Sequence, residues 1–251
     1  MPRSAKQLRI MKRNMKEENK IRYRVVSSAQ EAEGIFTITL EHPAGTLPEY
    51  IAGQYITIYF PELGTPEGKA YTLSSAPSEK RFSITVKAIG EFSNRLCGMK
   101  SGETLLGSEP YGYFGSESQD SPLCMIAAGV GITPFRSIIV EIAKRNPSRA
   151  IELFYSCRTL GETAFRAELD TLAKKNKNLR IHYSITREDA KIPGIARERL
   201  SAEKICKALK LPEKSEFLIC GSISFTRDLW RGLRAAGIPE ENILTEAFFS
   251  H

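Results

Sequence analysis

Residues 129–134, Gly129-Val130-Gly131-Ile132-Thr133-Pro134, could bind phosphate. They stand between an apolar run, LCMIAA, and a segment in which Phe135, Ile138, Ile139 and Ile142 recur at helical spacing. Glycines that leave a strand and open a helix make an anion site, because backbone N–H groups point outward and the helix dipole favours negative charge. The dinucleotide-binding fingerprint would want a third glycine where Pro134 stands. The spacing predicts Thr133 as the N-cap, its hydroxyl accepting a first-turn N–H, with Pro134 at the first helical position. An ordinary strand-to-helix turn uses the same residues, so this stretch alone leaves phosphate binding open.

Two more stretches carry polar chemistry. KAYTLSSAP, Lys69 to Pro77, offers a cation, an aromatic ring and several hydroxyls at the end of an expected strand. GEFSNRL, Gly90 to Leu96, sets Ser93 and Asn94 at an expected helix start, a second candidate phosphate site. GSEPYGYF, Gly107 to Phe114, is a Pro-Gly turn flanked by aromatics.

The elements that must position these residues fall into two halves. Strands are expected over Arg22–Ser28, Ile35–Glu41, Gln54–Phe60, Ala70–Ser74, Arg81–Ala88 and Thr104–Gly107, separated by turns such as HPAG and PELGTPEG. Six short strands at this spacing predict an antiparallel β-barrel, with a helical exception around Ser93–Cys97. From about residue 121 the strands LCMIAA, IELFYS, LRIHYSI, EFLICG and NILTEAFF alternate with helices expected over Pro134–Arg145, Thr163–Lys175, Ala202–Leu209 and Phe225–Ala236. That alternation predicts a Rossmann-like parallel sheet with helices on both faces. The expected division is a basic, poorly ordered arm over 1–20, a barrel over 21–116 and an α/β domain over 121–251. GSESQDSP, Gly115 to Pro122, spans the join.

Composition narrows the classes. The net charge of +7 resides in residues 1–24, which hold nine Lys or Arg and two Glu; the rest is balanced, 27 against 27. A neutral body with a basic arm argues against a nucleic-acid module. The arm is a solvated terminus, or a contact for anionic lipid, RNA or an acidic protein. No apolar run reaches the roughly 20 residues that cross a bilayer, and no secretory signal is read at the N-terminus. The five scattered cysteines form no CxxC pair, so disulfides and a protein-held metal are not expected, and a reducing cytoplasm is. His42, His182 and His251 suggest no triad, and G-x-S-x-G is absent.

Taken in order, these segments resemble the ferredoxin–NADP reductase superfamily, which joins a flavin-binding barrel to a nucleotide-binding α/β domain. The resemblance covers nearly everything from residue 22 onward. Lys69-Ala70-Tyr71-Thr72 is similar to the Arg-x-Tyr-Ser/Thr of the family, which implies Tyr71 on the isoalloxazine, Thr72 near flavin N5 and Lys69 near the phosphates. Lys69 stands where Arg is usual and lacks its bidentate fork. Gly90 and Phe92-Ser93-Asn94 resemble the flavin pyrophosphate turn, and Lys87 joins the implied flavin set. Gly129, Gly131, Thr133 and Pro134 resemble the nicotinamide-nucleotide pyrophosphate loop, in which the proline opens the helix. Cys220-Gly221 is similar to the motif that sets a cysteine beside the nicotinamide; core packing is the other reading of Cys220. Glu246 and Phe248 resemble the terminal Glu-x-aromatic stretch that covers the flavin, with Phe248 in place of the tyrosine of plant-type members. Phe249 is the neighbouring candidate, since a one-residue slip reverses which ring faces in.

The resemblance implies hydride transfer from NAD(P)H to a bound flavin, with Thr72, Cys220 and Glu246 at the reacting centre. FAD is expected ahead of FMN. At the end of the second strand of the nucleotide domain no acid stands; Ser156 and Arg158 do, with Arg166 on the next helix, which favours NADPH over NADH unless Arg158 lies over the adenine. Electrons would pass to a separate acceptor such as ferredoxin, flavodoxin or an oxygenase component. A reductase of free flavin, or an electron-relay subunit of a larger complex, stands as the alternative.

Overall fold

The computed structural model describes residues 20–188 and 192–248. Of the basic arm only Lys20 falls within them; Phe249 and His251 lie outside the described residues.

Strands β1 (Ile21–Ala32), β2 (Ile35–Glu41), β3 (Tyr55–Tyr59), β4 (Lys69–Thr72), β5 (Phe82–Lys87) and β6 (Thr104–Gly107) form one antiparallel sheet, ordered β4-β3-β6-β1-β2-β5. It closes into a barrel where Leu73, just past β4, bridges Ile84 of β5. Alternation decides the faces. Ile56 and Ile58 of β3 enter a core with Tyr23, Ile38, Leu40 and Phe82, while Tyr55 and Tyr59 stay half-buried outside. Helix α1 (Glu91–Cys97) packs Phe92 and Leu96 into the same core.

The second sheet is parallel: β7 (Leu123–Ala128), β8 (Ile151–Cys157), β9 (Leu179–Ile185), the short β10 (Ile195–Ala196), β11 (Glu216–Ser222) and β12 (Ile243–Phe248). Its order is β10-β9-β8-β7-β11-β12. Helices α2 (Ile132–Arg145) and α3 (Arg166–Lys175) cover one face, and α4 (Ala202–Ala208) and α5 (Ile223–Ala235) the other. The run LCMIAA is apolar throughout because both faces are buried: Leu123, Met125 and Ala127 on one, Cys124 and Ile126 on the other. The order of strands reverses between β7 and β11, and ligands of open α/β sheets bind beyond the strand ends at such a point. Among the described residues no helix is long and apolar enough to cross a membrane.

Two helix starts differ from expectation. Thr133 is not the N-cap: a 3-10 turn over Gly129–Gly131 runs straight into α2, whose N-cap is Gly131, and the Thr133 hydroxyl donates to Val130 O at 2.7 Å. Pro134 still falls in the first turn, where its missing N–H is not needed. Helix α3 begins at Arg166, three residues after the expected Thr163, because Phe165 adopts φ +60. That left-handed conformation interrupts the helix, and burial of the Phe165 ring holds it.

One guanidinium binds the halves together. Arg136 of α2 is 1% exposed. It donates to Glu79 Oε1 at 2.9 Å and Ser74 O at 2.9 Å on the barrel side, and to Glu168 Oε2 of α3 at 3.0 Å. Ser137 Oγ donates to Ser75 O at 2.6 Å alongside. At the other side of the interface Lys87 pairs with Glu162 at 3.1 Å, Glu33 N–H donates to Gly161 O at 2.7 Å, and Phe165 N–H donates to Glu31 Oε1 at 3.0 Å. Burial opposes charge on Glu79, but hydrogen bonds from Arg136 and the Ala76 N–H outweigh it and hold the carboxyl below its ordinary pKa. That contribution is complete above the unfolded glutamate value of about 4.3 and is lost as pH falls through the lowered folded value.

Arg136→Ala, which leaves two carboxylates without their buried partner, should lower unfolding stability by roughly 3–5 kcal/mol at pH 7. The check is the urea midpoint, and the deficit should shrink below pH 4. A midpoint within error of the parent at pH 7 would show that the two halves do not depend on this contact.

Candidate functional site

The barrel side of the crevice is β4 with α1. Lys69 is exposed, its Nζ 5.3 Å from the centroid of the Phe92 ring. The Tyr71 ring lies 6.2 Å from Phe92 and nearly parallel to it. The fold therefore brings Lys69, Tyr71 and Phe92 together at the start of α1. Ser93 is already engaged: its Oγ accepts the N–H groups of Ile89 and Gly90, both at 3.0 Å, and donates to Gly90 O. It closes the turn with its side chain, which leaves only backbone N–H groups of the first turn for an anion. Ala70 is exposed beside Lys69, whereas Asn94 lines a separate cavity of about 690 Å³ with Ser28, Phe36 and Met99. Lys87 is committed to Glu162.

The opposite side is the carboxyl edge of the parallel sheet at its switch point. Gly129 has φ +53, a conformation that suits glycine. Gly131 is needed for a different reason: a Cβ there would stand 2.3 Å from Cys220 O, so only glycine lets the loop lie on β11. A Cβ on Gly221 would meet the Phe225 ring at 2.7 Å. Ser156 is half-buried and Arg158 exposed at the end of β8. Arg166 is turned to its own neighbours, 3.8 Å from Asp170 and with its guanidinium over the Tyr183 ring. The fold sets Thr186 and Arg187 beside Arg158 instead: Arg187 N–H donates to Arg158 O at 2.8 Å, and Thr186 N–H to Cys157 O at 3.0 Å. The end of β9 supplies this second arginine, legible in the sequence as the cation that follows LRIHYSI.

Between the two sides sit the residues expected at the reacting centre. Thr72 is buried and pairs across the strands with Tyr55. Cys220 is fully buried and pairs in register with Glu246. Burial pushes the Cys220 thiol well above its usual range, reinforced by the charge of Glu246, so it is a neutral neighbour and no nucleophile. Burial pushes the Glu246 carboxyl up to about 7, and its Oε2 has no hydrogen-bond partner. Burial raises the Tyr55 hydroxyl above its ordinary value, and Tyr111 and the charge of Glu246 add to this, which places Tyr55 and Glu246 within electrostatic reach. Tyr55 thus links Thr72, its cross-strand partner on the barrel, with Glu246 on the sheet, a position the sequence reading did not single out. Phe248 pairs with Ser222 and packs, half-buried, against the core that includes Cys220. Among the described residues no group of three His, Cys, Asp or Glu could hold a metal ion.

Comparison with known proteins places this geometry. A family model described as the oxidoreductase NAD-binding domain matches residues 125–230, the segment holding the glycine loop, Arg158 and Cys220. The flavohemoprotein of Bordetella pertussis is 29% identical over 245 residues, 90% of this chain and 60% of that protein. The flavohem-like FAD/NAD-binding domain of nitric oxide dioxygenase from Vibrio cholerae superposes with a TM-score of 0.81 at 24% identity, covering 92% of this chain and 99% of that one. Ferredoxin-NADP+ reductase from Plasmodium falciparum shares the fold with a TM-score of 0.74 at 18% identity, over 92% of this chain and 97% of that one. The chain shares the two-domain fold of these proteins, and the oxidoreductase NAD-binding domain is matched in its second half. It spans about three-fifths of the length of the flavohemoprotein it matches.

The half-buried Glu246, whose Oε2 is enclosed without a hydrogen-bond partner, has a measurable consequence. A carboxyl whose folded pKa is raised binds more protons in the native state, so its charge costs stability as pH rises from about 4.3 through 7. Glu246→Gln should be more stable than the parent at pH 8, by roughly 1–3 kcal/mol, and no more stable at pH 4. Denaturant midpoints at the two pH values check this. Equal midpoints at pH 8 would place Glu246 in solvent.

Proposed function

We propose that the chain is an FAD-dependent NAD(P)H oxidoreductase that delivers electrons to a separate acceptor, a redox protein or an oxygenase component. The observation that supports this best is the convergence across one crevice of Thr72 and Tyr55 from the barrel with Cys220 and Glu246 from the carboxyl edge of the sheet. In this reading residues 21–116 hold the flavin and 121–251 the nucleotide. Five free cysteines suit a reducing compartment, the cytoplasm.

The residues present fit a flavin. Lys69 supplies an exposed cation for the pyrophosphate beside the first turn of α1, around Gly90, Phe92, Ser93 and Asn94. The Tyr71 ring supplies an apolar face, and the orphaned Glu246 Oε2 is an acceptor or proton donor that lacks a protein partner. A flavin bound there would supply hydride acceptance and one-electron release, chemistry no side chain offers. The protein's part is orientation. Gly129, Gly131, Thr133 and Pro134 seat the nucleotide pyrophosphate at the start of α2, and Cys220 with Gly221 walls the nicotinamide position. Phe248 shields that position until a nicotinamide displaces it. NADPH is the favoured donor: Ser156, Arg158 and Arg187 gather at the ends of β8 and β9, and none is an acid that would reject a 2′-phosphate.

The test pairs two substitutions in the purified protein. Lys69→Ala should weaken FAD retention on a desalting column by roughly tenfold, the scale of one charge-assisted hydrogen bond. Arg158→Ala should shift kcat/KM toward NADH by roughly tenfold, the scale of one arginine–phosphate contact. Parent-like FAD retention in Lys69→Ala would remove the flavin assignment, and an unchanged cofactor ratio in Arg158→Ala would remove Arg158 as the 2′-phosphate ligand.

A further inference from the structure

Three consecutive residues of β1, Val26, Ser27 and Ser28, line one cavity of about 690 Å³ on the flank of the barrel. In a regular strand, neighbours point to opposite faces. Here the pairing of β1 with β2 shifts register between Val25 and Ser27, so Val26 takes no partner and is 41% exposed. Such a bulge re-aims side chains, and it turns this stretch toward the cavity. The segment after α1 forms the facing rim and is fastened to the same strand. Gly102 N–H donates to Val25 O at 2.9 Å, and Val25 N–H donates to Glu103 O at 2.8 Å. Across the floor, Ser28 Oγ donates to Cys97 O at 2.8 Å. Helix α1 divides the cavity from the crevice. Asn94 lines the cavity, whereas Phe92, two positions earlier and so on the opposite side of the helix, enters the barrel core beside Tyr71.

We propose that this cavity binds a small aromatic carboxylate. Its floor is apolar: Cys97 and Met99 are buried there, with Ala88 and the Phe36 ring half-buried beside them. The ring and the thioether both pack well against an aromatic ligand. The polar groups sit at the rim. Lys100 is the one charged residue of the lining, and no carboxylate belongs to it. The nearest acid in sequence, Glu103, accepts the backbone N–H of Lys100 and turns its other oxygen to Arg95 at 3.8 Å. Among the described residues no hydrogen bond or ion pair engages the Lys100 ammonium, the Asn94 amide or the hydroxyls of Ser27 and Ser101. A carboxylate answers that set, because it only accepts and the ammonium and amide both donate to it. A cationic ligand would meet Lys100 with like charge, and a purely apolar one would leave these donors unused. The volume falls within the roughly 300–1,000 Å³ of small-molecule sites, which likewise combine an apolar floor with a few placed polar groups. The site stands apart from the flavin and nucleotide assignments and does not rest on them.

The test uses benzoate as the probe. Amide proton–nitrogen correlation spectra of the full chain, titrated with benzoate, should show saturable one-site shifts confined to residues 26–28, 36, 88 and 94–101. Benzamide, of the same shape without the charge, should bind roughly tenfold more weakly, the scale of one charge-assisted hydrogen bond. Lys100→Ala should weaken benzoate binding by the same factor. Val26→Trp, which fills the cavity from the exposed bulge, should abolish it. Several results would overturn the proposal: no saturable shifts, shifts centred on the glycine loop at 129–131, or parent-like affinity in either variant with far-UV circular dichroism unchanged. Loss of benzoate on addition of FAD would also overturn it, since the cavity would then belong to the flavin. A chain that binds benzoate here and takes up no FAD would keep the site and lose the oxidoreductase.

Discussion

The buried guanidinium of Arg136 is the constraint from which the working geometry follows. Neither sheet alone makes the crevice. Thr72 and Tyr55 belong to one, Cys220 and Glu246 to the other, and their separation is set by how the barrel sits on α2 and α3. Arg136 spans that junction with hydrogen bonds to Ser74 and Glu79 on the barrel side and to Glu168 on the other. A buried cation is expensive unless it is fully paired, so the contact tolerates little displacement. It also lies one turn along α2 from the glycine loop. The helix that presents its N-terminus to the crevice is therefore the helix that is locked to the barrel.

A second close contact sets the depth of the crevice. Gly131 lies against the carbonyl of Cys220 so closely that a methyl group would not fit. This brings the glycine loop onto β11 at the point where the strand order reverses, and it puts Cys220 and its cross-strand partner Glu246 beneath the loop. Burial does the rest. It keeps the Cys220 thiol neutral and lifts the Glu246 carboxyl to about 7, and the Oε2 of that carboxyl has no hydrogen-bond partner.

Much of this was legible in the sequence because it depends on local pattern. Alternation in FTITLE and YITIYF marked β2 and β3, and the unbroken run LCMIAA marked a strand buried on both faces. Lys69, Tyr71 and Phe92, singled out from two separate stretches, meet in the fold. What local pattern could not show were long-range contacts. The Lys87–Glu162 pair and the packing of Arg166 on Tyr183 depend on which loops face each other, and no spacing encodes that. The Thr133 cap was misplaced because a 3-10 turn and a helix merged, and the late start of α3 because Phe165 takes a backbone conformation that residue type does not suggest. Tyr55 and Tyr111 carried no motif. Their place at the crevice comes from the segment after β6 folding back onto β3.

The central claim is that the crevice brings a nicotinamide and a flavin together for hydride transfer. The most direct measurement is anaerobic stopped-flow absorbance of the FAD-reconstituted chain mixed with NADPH, and with NADPH carrying deuterium at the transferred C4 position. The account predicts that flavin absorbance bleaches in a single turnover and that bleaching slows with deuterium. A chain that stays colourless after incubation with FAD, or one whose flavin NADPH and NADH both leave oxidised, would contradict it.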